Sequence, residues 1–115
     1  MEKRIFFVSS KKEMKEVLNN FNYVIVKFTA PWCGPCKRIK ETFAELFENL
    51  PEEFVCVIIN IDEGATLKRL MGIRSVPTFM NFINGESINT VVGADKKNLE
   101  KFFDNSLKKF NEDKQ

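Results

Sequence analysis

Histidine is absent from the 115 residues, and that gap removes a good part of enzyme chemistry. No Cys-His catalytic pair, Ser-His-Asp triad or His-containing zinc site can be assembled from this chain. Cysteine is scarce too. Three thiols cannot supply the four thiolates of a closed zinc site, which would need a carboxylate or another subunit, and an iron–sulfur cluster would have to bridge two chains. Long apolar runs are missing: no segment approaches the roughly 20 residues of a membrane span. The opening Met1-Glu2-Lys3-Arg4-Ile5-Phe6-Phe7-Val8 has too short an apolar stretch for a signal peptide. A cytoplasmic protein with no membrane partner is therefore expected, and in that reducing compartment a cysteine pair reads as catalytic or metal-binding rather than as a staple. Net charge is nearly absent, 18 basic against 16 acidic residues. The pairs Lys11-Lys12, Lys96-Lys97 and Lys108-Lys109 are scattered, which argues against nucleic acid as a partner.

What the chain does have is apolar bulk. Hydrophobic residues make up 43% and phenylalanine alone occurs 12 times, enough for one domain over residues 1–115 with a core of its own. Ordered structure is expected from about 5 to 110, with 111–115 a polar tail that frays. Ile5 to Ser9 reads as a short strand, and Ser10-Lys11-Lys12-Glu13 is a capping box opening a helix with Met14, Val17, Leu18 and Phe21 on one face. Tyr23 to Thr29 is a second strand. A helix from Cys33 to about Leu50 carries Ile39, Phe43, Leu46, Phe47 and Leu50 on one side and is ended by Pro51. Phe54 to Ile59 is apolar on both faces, the signature of a strand buried within a sheet. Thr66 to Met71 forms a short helix closed by Gly72, and Ile83-Asn84-Gly85-Glu86 is a type I′ hairpin signal between two further strands. Asp95 caps a last helix with Leu99, Phe102, Phe103, Leu107 and Phe110 inward. Strand, helix, strand, helix, strand predicts parallel pairing through right-handed crossovers, and the hairpin adds antiparallel strands to the same sheet. The class is α/β: a mixed sheet of about five strands flanked by four helices.

The informative segment is Trp32-Cys33-Gly34-Pro35-Cys36-Lys37, two thiols where a buried strand hands over to an amphipathic helix. Such a pair can pass between dithiol and disulfide. With Cys33 at the N-cap, Pro35 falls where helical N–H groups lack partners anyway. The natural donor to the Cys33 sulfur is then the backbone N–H of Cys36, reinforced by the positive end of the helix dipole. Both effects favour the thiolate, the nucleophile of disulfide exchange. Trp32, beside the turn, can shield the sulfurs and offer a flat contact surface. Lys37 and Arg38 stand at the wrong end of a helix for cations; they either support the thiolate or form a solvated face, the simpler reading. Cys56, inside the apolar strand, reads as a small buried hydrophobe.

With these residues in place the chain resembles the thioredoxin family over about Ile5 to Phe110. Beyond the Trp-Cys-Gly-Pro-Cys-Lys segment, the resemblance rests on Phe28, Ala30, Asn60-Ile61-Asp62, Gly72-Ile73, Val76-Pro77-Thr78-Phe79, Asn84-Gly85 and Gly93-Ala94. It implies a thioredoxin fold and a reductase of protein disulfides working through Cys33 and Cys36, in electron transport and cell redox homeostasis. It further implies no bound cofactor, with NADPH used indirectly through a flavoprotein reductase, disulfide-containing proteins as substrates, and a monomer. It makes Val76-Pro77 a cis peptide beside the disulfide, with the Val76 backbone free to pair with substrate; the alternative is a trans proline in an ordinary turn. Gly93 and Ala94 then belong to the substrate groove, although a tight turn before the last helix accounts for them nearly as well. Rival readings are a relative biased to oxidase or isomerase work, whose usual sites carry a histidine between the cysteines, and a partner-binding protein of the same fold.

Three positions depart from the family. Lys27 stands where a buried aspartate is usual, Ile58 where a lysine often accompanies that aspartate, and Glu41 where a proline kinks the motif helix. These changes bear on the proton path to the second cysteine, not on the disulfide. A lysine buried without a partner loses its proton. Glu41 is the expected carboxylate partner of Lys27; otherwise the ammonium snorkels to the sheet edge. A charged Lys27 near Cys36 would tune the couple toward the dithiol.

Overall fold

Runs that are apolar at nearly every position belong between two covered faces, and the two such runs of this chain become interior strands of one sheet. In the computed structural model, which describes residues 4–115, the elements are β1 (Ile5–Phe7), α1 (Lys11–Asn20), β2 (Tyr23–Thr29), α2 (Gly34–Glu48), β3 (Phe54–Asn60), α3 (Ala65–Leu70), β4 (Thr78–Ile83), β5 (Glu86–Val92) and α4 (Lys96–Lys114). Met1-Glu2-Lys3, the opening of the stretch weighed as a leader, lies outside the described residues. The strand order is β1-β3-β2-β4-β5. β3 pairs parallel with β1 and β2, while β4 pairs antiparallel with β2 and β5. This is the expected α/β fold with a five-stranded mixed sheet and four helices.

Local chemistry sets the boundaries. Ser10 and Glu13 close the reciprocal capping box of α1, Glu13 N–H donating to Ser10 Oγ at 3.2 Å and Ser10 N–H to Glu13 Oε1 at 3.1 Å. Asn84 and Gly85 both take the positive φ of a type I′ turn, 53° and 83°. Asp95 caps α4 through the N–H of Asn98.

Because strand side chains alternate, the sheet sorts its residues into two cores. One face packs Val24, Val26, Phe28, Val55, Val57 and Ile59 with Met14 and Val17 of α1 and Leu67 of α3. The other packs Tyr23, Ile25, Phe54, Cys56 and Phe79 with Ile39, Phe43 and Phe47 of α2 and Phe102, Phe103 and Phe110 of α4.

Two expectations need correction in α4. The helix does not fray after Phe110 but runs to Lys114. Asp113 accepts hydrogen bonds from the Tyr23 hydroxyl and from Asn84 Nδ2, and Lys114 Nζ lies 3.5 Å from Glu53 Oε2. Leu107, expected inward, is 37% exposed, and Ser106 takes the inward position instead. Its hydroxyl donates to the Phe102 carbonyl at 3.0 Å, so a small residue seats the helix where a leucine would hold it off.

Candidate active site

Ala30-Pro31-Trp32 carries the chain from the end of β2 to α2, and Cys33 is the N-cap of that helix. Its backbone is extended (φ −84°, ψ 106°) and its sulfur accepts the Cys36 N–H at 3.1 Å. Pro35 sits in the first helical turn, where its missing N–H costs nothing. Cys33 and Cys36 form a disulfide, their Cα atoms 5.3 Å apart. When the bond is reduced, the same N–H and the positive helix end face the Cys33 sulfur.

Neither cysteine is open. Cys33 is 3% exposed and Cys36 8%, so access depends on the flanking surfaces. On one side Cys33 Sγ lies 3.6 Å from the Val76 carbonyl oxygen; a disulfide sulfur has no proton to donate, and this contact becomes a hydrogen bond only in the thiol. The Val76–Pro77 peptide is cis, as the resemblance implied. Pro77 is fully buried, and its carbonyl accepts the Gly93 N–H at 2.8 Å. Thr78 Oγ1 donates to the Ser75 carbonyl at 2.7 Å, which pins the loop from the other end. Val76, Pro77 and Gly93 are thus brought together beside the disulfide, with half-buried Ala94 following. Gly93 has φ +98° with nothing crowding a Cβ, so the turn, not close approach, requires glycine there. Gly34 has neither constraint.

Trp32 is 65% exposed, and its Nε1–H is shared between Asp62 Oδ1 at 3.2 Å and Oδ2 at 3.1 Å. Asp62, in the turn after β3, therefore fixes the indole over the motif. Its role was not read from the sequence, where Asn60-Ile61-Asp62 stood only as an anchor of the resemblance. Lys37 and Arg38 are exposed on the outer side of the first turn and form no ion pair among the described residues.

Lys27 points to the α2 side of the sheet, between Ile58 of β3 and Phe79 of β4. Glu41 is not its partner. Glu41 lies two residues from Ile39 and from Phe43, about 200° around the helix from the inward line, and is exposed. The Phe43 ring takes that place, 4.8 Å from the ammonium. Burial lowers the Lys27 pKa, and the nearby Lys40 ammonium lowers it further. Cys56 is the neighbouring group of opposite sign, but burial pushes its thiol up to about 12. At neutral pH it carries no charge to offer, consistent with its reading as a small buried hydrophobe. The Lys27 side chain opens into a cleft that also exposes Cys36, Lys37 and Lys40.

Among the described residues no group of three or more Cys, Asp or Glu is arranged to hold a metal ion. None of the helices there is long and apolar enough to cross a membrane.

A thioredoxin from Griffithsia pacifica is 45% identical over 80 residues, covering 70% of this chain and 73% of its own length. Malassezia sympodialis thioredoxin is 37% identical over 94 residues, 81% of this chain and 90% of the other. Among solved structures, Plasmodium falciparum thioredoxin superposes with a TM-score of 0.80 at 32% identity, covering 87% of this chain and 97% of the other. The family model for thioredoxin matches residues 5–105, a span that contains β1, the disulfide turn, the cis-proline loop and most of α4. The chain belongs to the thioredoxin family and is a thiol–disulfide oxidoreductase that reduces protein disulfides.

Proposed function

We propose that Cys33 is the attacking sulfur and Cys36 the resolving one. The Cys33 thiolate attacks one sulfur of a protein disulfide, forming a mixed disulfide and expelling the other substrate sulfur as a thiolate. Cys36 loses its proton and attacks the Cys33 sulfur; the Cys33–Cys36 bond forms and the second substrate thiolate leaves. The substrate gains two electrons and the enzyme is left oxidised. The observation that carries this assignment is the Cys36 N–H held on the Cys33 sulfur at the helix N-terminus. An asymmetric donor of this kind stabilises one thiolate of the pair and not the other.

Trp32, Val76, Pro77, Gly93 and Ala94 form the surface on which an extended substrate segment lies, the Val76 backbone supplying polar contacts. The family carries a redox-active disulfide and no bound cofactor, with NADPH acting through a separate reductase. For this chain a flavoprotein reductase is the partner that closes the cycle, acting on a monomer in the cytoplasm as part of electron transport and cell redox homeostasis. Gly34 and Pro35 shape the turn, and Lys37 adds positive potential near it.

Insulin reduction by the wild-type chain with dithiothreitol tests the activity. Cys33→Ser should abolish turnover, whereas Cys36→Ser should accumulate mixed disulfides visible by mass spectrometry. Normal turnover by Cys36→Ser would overturn the assignment.

Lys27 tunes the couple. It shares a cleft with Cys36, and its charged form favours the thiolate over the disulfide, which makes the couple more oxidising. Redox titration against glutathione should show Lys27→Met to be more reducing than wild type. An unchanged or opposite potential would remove Lys27 from the redox chemistry.

A further inference from the structure

Between α2 and the β1 edge of the sheet lies a cleft of about 550 Å³. Its floor is a cross-strand row of Phe7, Ile58 and Lys27, register neighbours on β1, β3 and β2. Its α2 wall brings Cys36, Lys37 and Lys40 to the same space.

Two features of this cleft are unfavourable alone. Phe7 is 76% exposed, on an edge strand of three residues. Lys27 is drawn out of water, and no carboxylate among the described residues pairs with it. Its company is the Phe43 ring and the like charge of Lys40. Among the described residues the only carboxylate lining the cleft is that of Glu63, an exposed residue in the turn after β3. The surface is thus apolar on one side and cationic on the other, with three lysines against one carboxylate. A flat apolar body would cover Phe7 and Ile58, while a single anionic head would give Lys27 the counter-ion it lacks.

We propose that this cleft is a binding site for a small aromatic carboxylate, its ring against Phe7 and Ile58 and its carboxylate between Lys27 and Lys40. Neither half of such a ligand suffices. An inorganic anion leaves the aromatic wall wet, and a neutral aromatic leaves Lys27 uncompensated. The site lies on the Cys36 side of the disulfide, away from the Val76 loop that flanks Cys33, so occupancy does not compete directly with the proposed substrate surface.

The test is an NMR titration of the oxidised full chain with 3-phenylpropionate, its neutral amide and inorganic phosphate. The carboxylate should bind saturably and shift the Phe7, Lys27, Ile58 and Cys36 amides. Both the amide and phosphate should bind at least about tenfold more weakly, the size of one charge-assisted contact. Lys27→Met and Phe7→Ser should each lower the carboxylate affinity by a similar factor, and Lys108→Met, on α4 outside the cleft, should not change it. The amide comparison is made on wild-type protein, so it decides the matter even if a cleft variant folds poorly. Equal affinity for carboxylate and amide, phosphate binding as tight as the carboxylate, no saturable binding, or unchanged affinity in Lys27→Met would each overturn the proposal.

Discussion

The two faces of the sheet are built from different materials. The face under α1 and α3 is largely aliphatic, with Phe28 and Phe82 its only buried phenylalanines. Its buried polar side chain, Thr78, is satisfied by the Ser75 carbonyl. The face under α2 and α4 is a mesh of rings, with Phe43 stacked on Phe79 at 5.3 Å and edge-on to Phe103 at 5.5 Å. That face also holds every unsettled group in the sheet: Lys27 without a carboxylate, Cys56 as a free buried thiol, and Asn81 with neither amide atom hydrogen-bonded among the described residues. The contrast has a physical reason. An aromatic face can receive a cation, as Phe43 receives Lys27, whereas a methyl surface offers a charge nothing. Lys27, the charged exception, therefore lies on the side that faces the motif helix.

If the ring face carries more of the stability, removing its central ring should cost most. Phe79→Ala, at a fully buried position, should lose about 3–5 kcal/mol, against about 2 kcal/mol for Val57→Ala on the opposite face, both read by urea denaturation. Equal losses would erase the distinction. The next largest effect has the opposite sign. Asn81→Leu removes two buried, unpartnered polar atoms while keeping the branched shape of the side chain, and should stabilise the fold by about 1–3 kcal/mol. A loss on the same measurement would mean that the amide is bonded in solution.

The last effect is a matter of pH. Burial raises the Cys56 thiol from 9.0 to about 12. Its folded-state pKa lies above the unfolded one, so its contribution is whole below pH 9.0 and is lost as pH rises toward 12. Tyr23, raised from 10.0 to about 12 chiefly by its hydrogen bond to Asp113, acts in the same direction. Lys27 opposes both: with its pKa lowered, the unfolded chain binds the proton more tightly, and stability rises with pH toward the ordinary value of 10.5. Cys56→Val should therefore lose less stability than wild type between about pH 8 and about pH 11, with the Tyr23 share of the decline remaining. Parallel curves for the two proteins would show that Cys56 is not held neutral by its surroundings.

Where one residue's chemistry decided the local structure, the sequence was enough. The Cys33 N-cap, the Ser10 capping box, the Asn84-Gly85 turn and the Asp95 cap all follow from which N–H groups need acceptors and which φ values a side chain allows. The errors arose where the deciding partner is distant in sequence. The 111–115 segment looks like a solvated tail until Tyr23 and Asn84 are seen to hold Asp113. Hydrophobicity pointed to Leu107, but the close seat of α4 needs the smaller Ser106. Glu41 was matched to Lys27 by charge, yet helix geometry turns it outward, and what meets the ammonium is a ring that had been counted only as core. The steering of Trp32 by Asp62 is of the same kind, since two exposed side chains thirty residues apart give no local signal.

The tie between Tyr23 and Asp113 joins the start of the central strand to the last turn of the chain. Tyr23 is the only tyrosine and Trp32 the only tryptophan, and β2 runs from one toward the other. The protein thus carries two native optical reporters at opposite ends of one strand. Phenol absorbance registers whether the terminal helix is latched, and indole emission registers the state of the sulfurs beside it. Closure of the fold and turnover of the disulfide can be followed separately in a single unlabelled sample.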